Sequence, residues 1–190
     1  MAKAGSKVTT MQEQDIIRFL SLVGDELQAF GLQRPIRLLL IGGAYMLTHI
    51  HNREVTRDVD VIVLGLDPAS EEYRLFKQAV AFVAHDLGIS PAWLSDTMAQ
   101  FLQSIGKVPT GKPWLSHGKL EVSAPDASYI LALKILSGRE KDMNDIKALL
   151  QTLAITTRRQ AEEVLNRYLD KDTQKNYGQD IQEALDHFFE

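Results

Sequence analysis

The sequence predicts an α/β (α+β) protein: a small mixed sheet with flanking helices, followed by a helical C-terminal half. Three observations predict it. Short apolar runs bounded by Gly and Pro stand at 37–41, 56–64 and 119–123, as buried strands do. Segments whose apolar residues recur at three and four separate the first two runs from the third, which is the helical period. Beyond Pro125 that helical spacing continues to the end of the chain.

Taken in order, residues 1–10 carry Lys3 and Lys7 with no apolar run behind them, so they read as a tail and not as a secretory signal. Over 12–30, Ile16, Phe19, Leu20, Val23, Leu27 and Phe30 form one buried stripe of a helix that Gly31 stops. Pro35 opens the strand at 37–41, and 44–50 makes about two helical turns ending near Asn52. The strand at 56–64 is closed by Gly65 and Pro68. Leu75, Phe76, Ala79, Phe82, Val83 and Leu87 mark a helix ended by Gly88, and Trp93, Leu94, Met98, Phe101, Leu102 and Ile105 predict another after Pro91. Glycines and prolines make 106–118 the loop-richest stretch, and 119–123 is a short strand. Helices are expected over 126–137, 140–153, 157–169 and 173–189, with Thr156-Thr157 as a cap. The domain reading is a tail over 1–10, an α/β core over 11–124 and a helical region over 125–190.

Composition narrows the function classes. The 190 residues include no Cys, which removes disulfides and thiolate metal sites. A formal net charge of -4 argues against a generic nucleic-acid coat, for which a basic domain is expected. No run reaches the ~18 apolar residues of a membrane span. The simplest expectation is a cytoplasmic protein with no membrane partner.

The chemistry concentrates in Asp58-Val59-Asp60-Val61-Ile62-Val63, two acids inside one of the most apolar segments. Alternate residues of a strand share a face, so both carboxylates point one way, roughly 7 Å apart. Half-buried anions lose hydration and need a cation beside them. For a site with oxygen donors alone the fitting ion is magnesium or manganese, which keeps waters and accepts phosphate oxygens. Upstream, Gly42-Gly43 joins a strand to a helix, where the missing Cβ atoms let a phosphate approach the backbone. A glycine turn beside metal-binding acids is the arrangement of phosphoryl transfer, in which positioning and charge neutralisation do most of the work. Downstream, at 100° per residue, Gly138, Lys141 and Asp145 fall within about 40° of Lys134 and form with it a polar seam opposite Leu136 and Met143.

The pattern apolar-Gly-Gly, spacer, Arg/Thr-rich turn and Asp-apolar-Asp-apolar resembles the signature of the nucleotidyltransferase superfamily typified by DNA polymerase beta. Thr56-Arg57-Asp58-Val59-Asp60 is similar to minimal bacterial and archaeal members, including abortive-infection toxins of the AbiEii kind, and 133–146 resembles the Lys/Arg/Asp helix pair after their sheet. The resemblance implies Asp58 and Asp60 as the catalytic metal acids and Glu121 as a third one. It further implies Gly42, Gly43, Arg57, Lys134 and Asp145 as nucleotide contacts, with Lys134 neutralising phosphate charge and the helical region completing the active-site cleft. The implied reaction moves a nucleoside monophosphate from an NTP, with Mg2+ or Mn2+, to the hydroxyl of a tRNA 3' end or a protein, in a toxin whose partner is an antitoxin. On this reading Lys134→Ala weakens turnover and leaves the fold intact.

Plainer readings stand beside these. Asp58 can pair with Arg57 or Arg53, and Lys141 with Asp145 as an i,i+4 pair. Residues 106–113 imitate a P-loop, but Pro113 stands where Ser or Thr should hold magnesium. His49 and His51 diverge on a helix, and Arg158-Arg159 reads as a solvated first turn. The same scaffold could also serve without catalysis, as a partner or antitoxin.

Overall fold

The computed structural model describes residues 10–189, so the tail expected over 1–10 lies, apart from Thr10, outside the described residues. The chain divides into a sheet unit, Met1–Met98 with Gly111–Ala124, and a helical unit, Ala99–Thr110 with Pro125–Glu190.

In the sheet unit, α1 (Glu13–Ala29) precedes β1 (Ile36–Ile41), and α2 (Gly42–Tyr45) passes directly into a π-helical turn (Met46–Ile50). After β2 (Val59–Val63) come α3 (Glu71–Leu87), a 3-10 turn (Pro91–Trp93) and β3 (Leu94–Ser95), and later the hairpin of β4 (Lys112–His117) and β5 (Leu120–Ala124). The sheet order is β3-β2-β1-β5-β4, with β1 antiparallel to β2 and parallel to β5. The mixed sheet of the expected α+β class is therefore present.

Its centre is built from the apolar run of β1, where Leu38, Leu39 and Leu40 are all fully buried, as a strand covered on both faces requires. Helix α1 buries Ile16, Leu20, Val23 and Leu27 on one side, and its entry is fixed by the Gln12 N–H donating to the Asp15 carboxylate at 2.9 Å. Helix α3 starts where the Ser70 hydroxyl accepts from the Tyr73 N–H and stops at Gly88 in the left-handed conformation.

Three local expectations are corrected. The stretch after Pro91 is not one helix, because Leu94 and Ser95 join the sheet as β3 between a single 3-10 turn and the α-helical Ala99–Ser104. The loop-rich stretch contains β4, and Pro113 is tolerated there because β4 is an outer strand with no ladder to complete on its far side. The second strand begins at Val59, not at residue 56.

The helical unit holds α4 (Ala99–Ser104), α5 (Ala127–Ser137), a 3-10 turn (Glu140–Asp142), α6 (Met143–Thr152), α7 (Arg158–Tyr168), α8 (Lys171–Asn176) and α9 (Gly178–Phe189). Ile130, Leu131, Ile135, Ile146, Leu149, Leu165 and Leu185 make its core. Thr157 caps α7 as its sequence suggests, and the single helix expected over 173–189 is split between α8 and α9. The segment after α4 is tied in by the Asp170 N–H donating to the Ile105 carbonyl at 3.1 Å and by a bridge between Gly106 and Leu169. Among the described residues no helix is long and apolar enough to cross a membrane.

Candidate active site

The antiparallel register of β1 and β2 pairs Ile41 with Asp60, so the residue after Ile41 turns across the Asp60 side chain. That residue is Gly42, at φ +66, and a Cβ on it would collide with Asp60 Oδ2 and stand 3.0 Å from Asp60 Cβ. Two requirements thus converge on glycine, a left-handed backbone and space for a carboxylate. Gly43 answers a different need: a Cβ there would stand 3.0 Å from Thr56 Oγ1 and 3.3 Å from Arg53 Nη1.

The approach to β2 is pinned from far away in sequence. Met11 and Thr56 exchange both backbone hydrogen bonds, at 2.7 and 2.9 Å, and the buried Thr56 hydroxyl donates to the Asp58 carbonyl at 3.0 Å. Asp58 is exposed and precedes the strand, whereas Asp60 is half-buried and lies within it between Ile41 of β1 and Ser95 of β3. Only Asp60 is thus fixed by the ladder. Sequence reasoning missed Ser95, since a strand of two residues leaves no periodic trace. Its neighbour Asp96 accepts from the Tyr73 hydroxyl at 2.6 Å and the Lys77 ammonium at 2.8 Å, which fastens the end of β3 to α3. Burial pushes the Asp96 carboxyl up, but these hydrogen bonds and the Lys77 charge outweigh it and hold the group below its ordinary range.

The remaining sheet residues separate. Arg57 is exposed, and the cation that lines the glycine turn is Arg53. Glu121 is not brought to Asp60: it is exposed on β5 opposite Arg37, while Asp60 lies opposite Ile41, about 13 Å further along β1. Ser123, closer on the same face, donates its hydroxyl to the Leu38 carbonyl at 3.2 Å. Among the described residues no group of three His, Cys, Asp or Glu could hold a metal by itself. Asp58 and Asp60 are two carboxylates, the number through which magnesium is held where waters and phosphate oxygens complete its coordination.

The helix after the glycine turn carries a further residue. His49 lies on the π-helical turn, stacked on Tyr45 at 4.8 Å and set edge-on to Trp114 at 5.4 Å. The Thr48 hydroxyl donates to the Ala44 carbonyl at 2.9 Å and stands 2.7 Å from His49 Nδ1. Burial lowers the imidazole pKa, against a smaller raising influence from Glu13. His51 is exposed and ends the turn in the left-handed conformation.

In the helical unit the continuous polar seam expected over 134–145 does not exist. Helix α5 ends at Ser137, Gly138 takes the left-handed conformation, and the chain folds back into α6, so the 100° phase is not carried across. Lys134 and Asp145 nevertheless meet. The Lys134 ammonium lies 2.5 Å from Asp142 Oδ1 and 2.9 Å from Asp145 Oδ2, and the Ser137 hydroxyl contacts Asp142 Oδ2 at 3.1 Å. Both carboxylates are buried, and Asp142 was absent from the sequence-based site. Lys141 is exposed.

No protein-family model matches this chain, and no curated protein and no solved structure matches it.

Proposed function

We propose that the sheet unit carries a magnesium-dependent nucleotidyltransferase centre, which moves a nucleoside monophosphate from an NTP to an acceptor hydroxyl. The observation that carries this reading is the contact of Gly42 with Asp60, an acid on one strand held against a glycine turn at the end of the next. Gly42 and Gly43 are both half-buried at the start of a helix, and Asp60 with the exposed Asp58 would hold magnesium beside them. Magnesium, when bound with the nucleotide, supplies neutralisation of the phosphate charge as pyrophosphate leaves. The bond between acceptor oxygen and α-phosphorus forms as the bond to pyrophosphate breaks, and the hydroxyl proton passes to solvent. Resemblance to the minimal toxins supports a tRNA 3' end or a protein hydroxyl as acceptor, a cytoplasmic setting and an antitoxin partner. Lys134 enters the reading as an ion-pair residue of the helical unit.

The test is incubation with each labelled NTP, magnesium and total tRNA or lysate. Transfer is expected from the wild type and not from Asp60→Ala; absence of label with every nucleotide, or equal transfer by the variant, sinks the proposal.

A second reading, a scaffold that binds a partner without catalysis, draws support from the commitment of Lys134 to two carboxylates. Thermal unfolding separates the two. An NTP at 100 times its dissociation constant stabilises a binding protein by about 2.7 kcal/mol, and such a gain appearing only with magnesium favours the enzyme.

A further inference from the structure

We infer that the hydroxyl of Ser95 is an acceptor for the chain's own nucleotidyl transfer, so that the protein attaches an NMP to itself beside Asp60 and thereby closes its own site. This rests on the nucleotidyltransferase reading and adds to it one named acceptor, on a strand that the sequence did not announce.

The sheet register brings the two side chains together. Asp60 of β2 and Ser95 of β3 are partners in a parallel ladder, so their side chains leave the same face of the sheet from strands about 4.8 Å apart. Ser95 is also held from both directions along the chain. Before it, Trp93 and Leu94 are buried, and after it the Asp96 carboxylate accepts from Tyr73 and Lys77 of α3. Ser95 itself is half-buried, and Thr97, whose hydroxyl stands 3.0 Å from that of Ser95, is exposed. One hydroxyl is thus fixed on the strand beside the acid, and a second leads from it to solvent.

Hydrogen bonding sets Ser95 apart from the other hydroxyls around the glycine turn. Thr48, Thr56 and Ser123 donate to the carbonyls of Ala44, Asp58 and Leu38, so each is engaged in holding backbone. Ser95 and Thr97 bond to each other instead, with either able to donate. Such a pair uses one proton of its two, and because a hydroxyl oxygen has two lone pairs, Ser95 keeps one for an electrophile in either arrangement. In the step, Ser95 Oγ attacks the α-phosphorus of the NTP. The new O–P bond forms as the bond from that phosphorus to the bridging oxygen of pyrophosphate breaks, and the Ser95 proton passes through the Thr97 hydroxyl to solvent. The product is a phosphodiester of Ser95. It sets an anion and a nucleoside directly opposite Asp60, where like charges on neighbouring strands repel. The modified chain therefore takes up the next NTP poorly.

The full chain is incubated with magnesium and each labelled NTP in the absence of any other acceptor. Intact mass and peptide mapping read the adduct, and calorimetry reads NTP binding before and after modification. The wild type is expected to gain a single NMP at Ser95, and Asp60→Ala and Ser95→Ala to gain none. Ser95→Ala should bind the magnesium complex of NTP as the wild type does, whereas the modified wild type should bind it about tenfold more weakly or worse. An adduct mapped to another residue, labelling of Ser95→Ala equal to that of the wild type, or a modified chain that binds NTP unchanged overturns the inference. Mapping uses the wild type, so if Ser95→Ala does not fold, the mapped position decides. A wild type that binds no NTP removes the nucleotidyltransferase reading and Ser95 with it. Asp60-dependent NTP binding, or transfer to tRNA, with no mass gain on the chain removes Ser95 alone.

Discussion

The carboxylate of Asp60 lies where a side chain on Gly42 would stand. Gly42→Ala must therefore distort a left-handed backbone and displace the acid together. A destabilisation of roughly 1–3 kcal/mol is expected, with loss of magnesium-dependent NTP binding. Gly43→Ala has ordinary backbone geometry and meets only the ends of two side chains, so it should cost less. Urea unfolding of both variants checks this, and equal losses contradict it.

Lys134→Met should unfold the helical unit more readily than any surface change. It leaves Asp142 and Asp145, 4% and 1% exposed, without the cation that lies between them. Removing one member of a buried ion group costs about 3–5 kcal/mol, so the expectation that Lys134→Ala leaves the fold intact is replaced. Adding Asp142→Asn and Asp145→Asn should recover part of the loss in denaturant melts. A single variant within about 1 kcal/mol of the wild type refutes the buried-triad account.

His49 should make stability depend on pH just below neutrality. Burial holds its folded pKa below the ordinary 6.5, so as pH falls through that value the unfolded chain takes up the proton first. The folded state loses stability from about pH 7 downward until the folded pKa is passed, and the group contributes no slope above both values. The difference in unfolding free energy between the wild type and His49→Gln, followed from pH 8 to 5, should fall with falling pH. A flat difference means that the ring titrates as it would in water.

Glu121 and Asp60 should part company in the transfer assay. Asp60→Asn removes the anion beside the glycine turn and should lower transfer by about two orders of magnitude or more. Glu121→Gln alters an exposed residue opposite Arg37 and should leave the rate within about twofold. Similar losses for the two would mean that Glu121 does reach the reacting groups.

The features legible in the sequence were those whose residue types are demanded locally. A glycine pair at a strand end and an acid in an apolar run announce themselves, and the stripes of α1 and α3 follow from helical period alone. Arg53 was not legible, because its place depends on a loop pinned by Met11, a contact between distant segments with no local pattern. Strand β4 was hidden by Gly111 and Pro113, residues that read as loop unless the strand is known to be outermost. Lys134 and Asp145 were paired for the wrong reason. The 100° step was carried across the gap between two separately expected helices, yet Gly138 breaks it and the packing of α6 against α5 brings them together.

The division of the chain has a practical consequence for dissecting the protein. The backbone crosses between its units at Met98 to Ala99, at Thr110 to Gly111 and again at Ala124 to Pro125. A stop codon after residue 124 would leave α4 orphaned, and a fragment starting at Pro125 would lack the residues that bond to Leu169 and Asp170. The two units are encoded in interleaved blocks, so neither can be excised by a single cut. Separating their roles calls for point substitutions within the intact chain, or for a circular rearrangement that restores residues 99–110 to the helical piece.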